Sequence, residues 1–93
     1  MYVTVRNYAG GRAFADALVS HQDEIREILT GIEGFRAYYL VRTTEGATTI
    51  SVFATEDGAQ ESTAAAAAWV GENLVDIEPG PPQVTRGSVA LSF

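Results

Sequence analysis

Residues 35–55 read FRAYYLVRTTEGATTISVFAT, two stretches rich in aromatic and β-branched residues with the pair Glu45-Gly46 between them. Such residues are enriched in strands, and a short Gly-containing turn between two strand-like stretches is typical of a β-hairpin. The stretch therefore predicts two antiparallel strands, one over Phe35–Arg42 and one over residues 48–55. The flanking segments decide which fold contains this hairpin.

The segment before the hairpin predicts a strand followed by one helix. Tyr2–Tyr8 alternates in side-chain character with a period of two, which is typical of a strand, and it ends at Ala9-Gly10-Gly11. From Arg12 the apolar spacing changes to three and four, which predicts one amphipathic helix that closes at Gly31 and Gly34. Its apolar stripe consists of Phe14, Leu18, His21, Ile25, Ile28 and Ile32.

The segment after the hairpin predicts a second helix and a last strand. Asp57 is the expected N-cap of this helix, with Gln60 completing a capping box. The Pro-rich run over residues 78–82 should stop the helix, and residues 83–93 should form the strand. The order strand, helix, strand, strand, helix, strand is the ferredoxin-like βαββαβ arrangement, an α+β fold with an antiparallel sheet. At 93 residues we expect a single domain over residues 1–93.

Both faces of the predicted sheet carry apolar side chains. The set expected to lie under the helices is Val3, Val5, Ile50 and Val52. The opposite face then carries Tyr2, Tyr8 and Phe53. An exposed apolar face of this kind usually marks an interface, so we predict a homodimer that associates through this sheet face.

The composition restricts the classes of partner and cofactor. Twelve acidic residues against six basic ones give a net charge of -6, which disfavours nucleic acid and anionic membrane surfaces. The chain has no Cys and one His, so a metal site is not expected, and no resident cofactor is predicted. The N-terminus lacks the pattern of a secretory signal, which favours a cytoplasmic location.

Three residues are candidates for catalysis. Asn7 shares a strand face with Val3 and Val5, so we expect it to point under the helices, where it either tethers the following turn or lines a pocket. His21 is the one imidazole; it could be a general base, or a histidine satisfied in the core or an interface. Trp69 stands among alanines on the second helix and is either a core filler or a pocket wall.

Two further residues are candidates for substrate binding. Tyr38 and Tyr39 point to opposite sheet faces, so one phenol should reach any cavity beneath the helices, unless it is simply packing; Tyr39 is our candidate. Ser62 lies on the second helix, about two turns before Trp69.

Several stretches resemble one known family across nearly the whole chain. They are Gly34-Phe35, Ser51-Val52-Phe53, Glu56-Asp57-Gly58-Ala59, Ala67 with Trp69-Val70, Glu72-Asn73-Leu74, and the Pro-rich loop before Val84. Together they resemble the antibiotic-biosynthesis monooxygenase superfamily, and within it a group of small members of uncharacterised function. The resemblance implies a dimeric α+β barrel, with sheets facing each other across the dimer and a pocket between sheet and helices in each subunit.

The resemblance also implies a choice of chemistry. Haem-degrading members use an Asn on the first strand, a Trp on the second helix and a later His on that helix; Asn7 and Trp69 match, but residues 70–77 contain no His. Cofactor-free members oxidise phenolic substrates that have an acidic C–H bond, using O2 directly. Their Asn, Trp and Tyr side chains bind and polarise the substrate, a role that the resemblance implies for Asn7, Trp69 and Tyr39. The function so implied is a cofactor-independent monooxygenase acting on a small aromatic hydroxyl compound, quinol-like or anthrone-like. The alternative is a non-catalytic module of the same fold for small-molecule binding or assembly.

Overall fold

A computed structural model describes residues 1–74, 77 and 80–93 of the chain. Its elements are the strands β1 (Tyr2–Tyr8), β2 (Phe35–Arg42), β3 (Ala47–Phe53) and β4 (Gln83–Ser88), and the helices α1 (Gly11–Ser20), α2 (Gln22–Thr30) and α3 (Glu56–Asn73). The strands form one antiparallel sheet in the order β2-β3-β1-β4. This order confirms the predicted ferredoxin-like α+β fold. None of the described helices is long and apolar enough to cross a bilayer.

The first helical segment is two helices and not the single one predicted from its apolar stripe. The break falls at His21, whose φ of -105° and ψ of 22° leave the α-helical region. Its backbone N–H still donates to the carbonyl of Ala17 at 3.1 Å, and its own carbonyl accepts from Ile25 at 3.1 Å. The break therefore costs little hydrogen bonding, and the apolar stripe continues across it without a Gly or Pro to mark it.

The ends of three elements also differ from the prediction. Thr55, not Asp57, is the N-cap of α3: it is extended, and its hydroxyl accepts from the Gly58 N–H at 3.2 Å. Asp57 lies inside the first turn, where a carboxylate favours the positive end of the helix dipole. Strand β3 ends at Phe53 and β4 at Ser88, earlier than predicted. Helix α3 ends at Asn73, and Glu78 and Pro79 of the predicted stop lie outside the described residues.

The two faces of the sheet are assigned the opposite way round from the prediction. The face under the helices carries the aromatic set, including Phe53, which is 0% exposed, and Tyr8, whose ring lies 4.5 Å from that of Phe14 on α1. The other face, here called the open face, carries Val3, Val5, Ala37, Tyr39, Val41, Thr48, Ile50 and Val52, together with Asn7. Because both faces carry apolar side chains, alternation alone does not show which one the helices cover, and the bulkier rings fill that space.

The buried side chains form two apolar clusters. One lies at the α1 end of the sheet and contains Phe14, Ala15, Leu18, Ala47, Trp69 and Leu74. The other contains Leu29, Ile32, Phe53 and Ala59. Across the middle of the helix-covered face, the sheet is polar instead, with a buried set that consists of Thr4, Arg6, Thr49 and Ser51. We call this set the polar band.

The assignment of faces predicts the cost of truncating two phenylalanines. Phe53→Ala should lower the free energy of unfolding by about 3–5 kcal/mol, because it leaves a cavity under the helices. Phe93→Ala is the matched control, since Phe93 is fully exposed, and it should change stability by less than about 0.5 kcal/mol. Urea unfolding followed by circular dichroism measures both. Equal effects of the two substitutions would contradict the faces described here.

Candidate active site

Arg6 is the most unusual member of the polar band. Its residue surface is 6% exposed, and its Nη2 donates to Thr63 Oγ1, which in turn donates to the Ala59 carbonyl at 3.0 Å. No carboxylate of the described residues lies within 4.0 Å of the guanidinium. A buried charge whose partner is removed typically costs a protein about 3–5 kcal/mol. Arg6 is thus a cation held under the helices by a neutral hydroxyl.

Two tyrosine phenols lie near this cation. Burial raises the pKa of Tyr38 to about 12, with a further increase from Tyr8 and a smaller opposing effect of Arg6. Burial also raises the pKa of Tyr8, which Arg6 again opposes. Neither hydroxyl is hydrogen-bonded within the described part of the chain. Both phenols therefore stay protonated near neutral pH and are free to donate.

A small cavity, here called the inner chamber, lies between the polar band and the three helices. Its volume is about 50 Å³. Its polar walls are Arg6, Tyr8, Tyr38, Thr49, Ser51 and Ser62, and its other walls are Phe14, Leu18, Ile25, Ile28, Leu29, Ala66, Trp69 and Val70. Small-molecule sites typically combine an apolar lining with a few convergent polar groups, and the chamber has this composition.

A larger space, here called the outer groove, adjoins the chamber between α1, α2 and β2. Its volume is about 440 Å³. It shares Leu18, Ile25, Leu29 and Tyr38 with the chamber, and its further lining is Val19, Gln22, Arg26, Thr30, Phe35 and Leu40. Tyr38 thus stands at the boundary, with the outer groove on one side and the inner chamber on the other.

Trp69 forms one wall of the chamber and is 9% exposed. Its indole Nε1 donates to Glu24 Oε2 on α2 at 2.9 Å. His21 lies behind it: its Nδ1 is 3.7 Å from the same carboxylate oxygen, and its ring centroid is 5.2 Å from that of Trp69 in an edge-on arrangement. His21 contacts Trp69 but is not part of the chamber wall. The three side chains tie α3 to the junction of α1 and α2.

Ser62 lies about two turns before Trp69 along α3 and faces the same chamber. It is 1% exposed, and its hydroxyl donates to the Ala59 carbonyl at 2.7 Å. That bond occupies its proton and leaves the oxygen lone pairs as acceptors. The structure therefore brings together two of the five predicted site residues, Trp69 and Ser62.

Asn7 and Tyr39 lie elsewhere. The expectation that Asn7 points under the helices is wrong, because the side with Val3 and Val5 is the open face. Asn7 is exposed there, and its Oδ1 accepts from Thr48 Oγ1 at 2.6 Å. It lines a separate pocket of about 450 Å³ formed with the hairpin turn. Tyr39 is 58% exposed on the open face, and it is Tyr38 that reaches the chamber.

Sequence reasoning missed the polar band, above all Arg6 and Thr49. The available signal was the alternation of Thr4, Arg6 and Tyr8 with the valines of β1. An Arg in a strand is ordinarily assigned to the solvent side, and this places it on the wrong face here. The described residues contain no group of three or more His, Cys, Asp or Glu side chains placed to hold a metal ion.

Comparison with solved structures finds the same fold in proteins of low sequence identity. A monooxygenase from the ActVA-Orf6 gene of Streptomyces coelicolor, solved with nanaomycin D, is 18% identical, with a TM-score of 0.71 over 99% of this chain and 88% of that one. SnoaB, a cofactor-independent oxygenase from Streptomyces nogalater, is 12% identical, with a TM-score of 0.65 over 99% and 93%. This chain has the antibiotic biosynthesis monooxygenase-like fold.

A third solved structure with this fold is a dimeric ferredoxin-like protein from an uncultured marine organism. It is 12% identical, with a TM-score of 0.64 over 99% of this chain and 94% of that one. No protein-family model and no curated protein matches the sequence. The fold implied by the sequence resemblance is confirmed, and the site must be judged from its own geometry.

The raised phenol pKa values predict a loss of stability at high pH. The unfolded chain releases the Tyr38 proton near pH 10, whereas the folded chain holds it to about pH 12. The stabilisation is therefore complete below about pH 10 and is lost as pH rises towards about 12. For Tyr38 this loss should reach about 2 kcal/mol. Urea unfolding over this pH range measures it.

Two variants separate the phenol of Tyr38 from other alkaline effects. Tyr38→Phe should reduce the loss of unfolding free energy with rising pH, because it removes the group that titrates. Tyr39→Phe, on the exposed neighbouring residue, should keep the slope of the unaltered protein. A slope that Tyr38→Phe leaves unchanged would contradict the burial of this phenol.

Proposed function

We propose that the protein is a cofactor-independent monooxygenase that oxidises a small aromatic hydroxyl compound, quinol-like or anthrone-like, in the inner chamber and outer groove. The observation that carries the proposal is the convergence of Arg6, Tyr38 and Ser62 on a chamber otherwise walled by apolar groups. A module that only packs or assembles needs no such polar convergence. The two oxygenases of the same fold, from S. coelicolor and S. nogalater, support the reaction class.

The volumes of the two spaces determine how such a substrate fits. A dry cavity that holds benzene measures about 150 Å³, so an aromatic ring exceeds the 50 Å³ chamber and fits the 440 Å³ groove. The ring then lies against Leu18, Ile25 and Phe35, and its hydroxyl end reaches past Tyr38 into the chamber. This orientation places the oxygen of the substrate at the polar band and its apolar part against the helices.

The reaction needs only the substrate and O2. The hydroxyl compound loses a proton to solvent through the groove, and the resulting anion gives one electron to O2. The two radicals combine into a C–O–O bond at the activated carbon. The resulting peroxide takes up a proton from solvent and its O–O bond breaks. One oxygen stays on the carbon as a carbonyl, and the other leaves as water; the two hydrogens that the substrate loses overall are one from the oxidised carbon and one from its hydroxyl group.

The side chains have distinct roles in this scheme. Trp69 forms the flat wall of the chamber that receives the hydroxyl end of the ring. Tyr38, protonated at neutral pH, donates its hydrogen bond to the substrate oxygen, and Ser62 offers an acceptor. Glu24 fixes the indole, and His21 supports that carboxylate, so both are positioning residues. Orientation and a water-poor chamber are the contributions of the protein.

Oxygen uptake with a panel of hydroquinones and anthrones tests the function. Trp69→Phe and Ser62→Ala should each lower kcat/KM by about tenfold, since a lost interaction in a buried site is worth about 1–3 kcal/mol. Glu61→Ala is the control, because Glu61 is exposed on the same helix, and it should keep the rate of the unaltered protein. Uptake equal to the protein-free background, with the panel still bound, would favour the non-catalytic binding module instead.

Asn7→Ala discriminates between the two surfaces considered for the site. Asn7 lies on the open face, so the substitution should leave uptake within about twofold of the unaltered protein. A loss of oxygen uptake as large as that caused by Trp69→Phe would indicate that the reaction takes place in the pocket between Asn7 and the hairpin turn.

We further propose that two chains associate through their open faces. This face is apolar along β1 and β3, with Tyr39 58% and Val41 44% exposed on β2. The surface of the chain, 5942 Å², exceeds the roughly 5,200 Å² typical of a folded monomer of this mass. The marine ferredoxin-like structure of the same fold is dimeric. The interface so proposed differs in composition from the sequence-based one, because Tyr2, Tyr8 and Phe53 lie under the helices.

Sedimentation at micromolar concentration tests the dimer. The unaltered protein should sediment at twice the 9.9 kDa mass of the chain. Val5→Asp should give monomers, because it buries a charge at the centre of the open face. Glu61→Lys changes charge on the helical side and should stay dimeric. A 9.9 kDa species for the unaltered protein would contradict the interface.

A further inference from the structure

Within the described residues, the guanidinium of Arg6 has no carboxylate within 4.0 Å. The described ion pairs are those of His21, Arg26 and Arg42, and none of them includes Arg6. Its one described hydrogen bond uses Nη2, whereas a guanidinium has five N–H donors. No buried side-chain nitrogen among the described residues lacks a partner. The remaining Arg6 donors therefore face accessible space, and the adjoining space is the inner chamber.

The described groups packed around Arg6 on the neighbouring elements are neutral or positively charged, apart from one carboxylate that is already hydrogen-bonded. On β1 and β2 the neighbours are the phenols of Tyr8 and Tyr38, which burial keeps protonated. On β4, Arg86 lies opposite Thr4 in the register of the two strands, and Thr4 is two residues from Arg6. Arg86 therefore adds a second positive charge on the same side of the sheet. On α3 the contact is the Thr63 hydroxyl. On α2, the carboxylate of Glu24 accepts the hydrogen bond of the Trp69 indole.

We propose that Arg6 binds the substrate as an aromatic oxyanion, with the negative oxygen in the inner chamber and the ring in the outer groove. This inference rests on the proposed function for the location of the site, and it adds the side chain that binds the negative oxygen of the substrate. The guanidinium and the Tyr38 hydroxyl supply the donors to the oxygen. Arginine is suited to this task because it stays charged and presents several donors in one plane.

The arrangement supplies an anion without a dedicated base in the chamber. The O–H bond of the bound hydroxyl compound breaks, its proton goes to solvent through the groove, and the electron pair stays on the oxygen beside Arg6. A cation within about 4–6 Å typically lowers the pKa of an acid by about 1–3 units. The lower pKa raises the fraction of bound substrate that is in its electron-rich, ionised form near neutral pH.

Binding of 4-nitrophenol tests this inference without turnover. Its ionised form is coloured, and Trp69 is the one tryptophan of the chain, so absorbance and indole fluorescence follow the same complex. The apparent pKa of the bound phenol should fall by about 1–3 units relative to free solution. Its methyl ether, 4-nitroanisole, cannot ionise and should bind at least about tenfold more weakly near neutral pH.

Substitutions at Arg6 assign the effect to one side chain. Arg6→Met should abolish the pKa shift and the preference over the ether, whereas Arg6→Lys should keep a reduced shift. Arg42→Met removes the same charge from the surface and should keep both. Thr63→Val removes the hydroxyl partner of Arg6 and should keep the shift, since the charge remains. If Arg6→Met does not fold, Arg6→Lys and Thr63→Val still test whether the charge of Arg6 causes the pKa shift.

The outcomes separate this inference from the proposed function. No pKa shift on binding, or a shift that survives Arg6→Met, overturns the role of Arg6. If the protein takes up oxygen but shows no preference for the phenolate, the proposed role of Arg6 is wrong and the proposed monooxygenase function is supported. If phenolate binding depends on Arg6 but no hydroquinone or anthrone of the panel gives oxygen uptake, the proposed role of Arg6 is supported and the proposed monooxygenase function is contradicted.

Discussion

Burial of a positive charge under three helices is the constraint on which the rest of the site depends. Arg6 cannot be covered by a continuous apolar core, because a guanidinium needs polar neighbours. The sheet supplies them as Thr4, Thr49 and Ser51, and α3 supplies Thr63. Small polar side chains occupy less volume than the rings at either end of the sheet. A chamber remains where the polar band crosses the sheet, and this chamber is the candidate site.

The same constraint explains why the core is divided. The clusters around Phe14 and Phe53 lie at opposite ends of the helix-covered face, with the polar band between them. Trp69 closes one side of the gap, and its indole bond to Glu24 joins α3 to α2. Packing at the two ends therefore holds the helices away from the middle of the sheet. The open face has no such division and is apolar from β1 to β2.

The fold could be predicted from sequence because it depends on local patterns. The turn at Glu45-Gly46, the period of two in β1 and the change to helical spacing after Gly11 are each visible in a few residues. The side of the sheet that faces the helices depends instead on contacts between distant elements, such as Tyr8 with Phe14. The assignment of the faces also determined which predicted site residues were correct. Trp69 and Ser62 lie on a helix, and their place at the chamber was predicted from sequence. Asn7 and Tyr39 lie on strands, and they point to the open face.

The break at His21 also affects how the outer groove behaves. Helices α1 and α2 contain ten and nine residues, and isolated helices of this length are marginal in water. Their order comes from packing, and α2 forms much of the groove wall while burying only Leu29 completely. Such a segment belongs to the less stable part of a structure and opens locally before the sheet does. Occupancy of the groove would couple to the local unfolding equilibrium of α2, and the backbone amides of that helix would exchange their hydrogens more slowly in the complex.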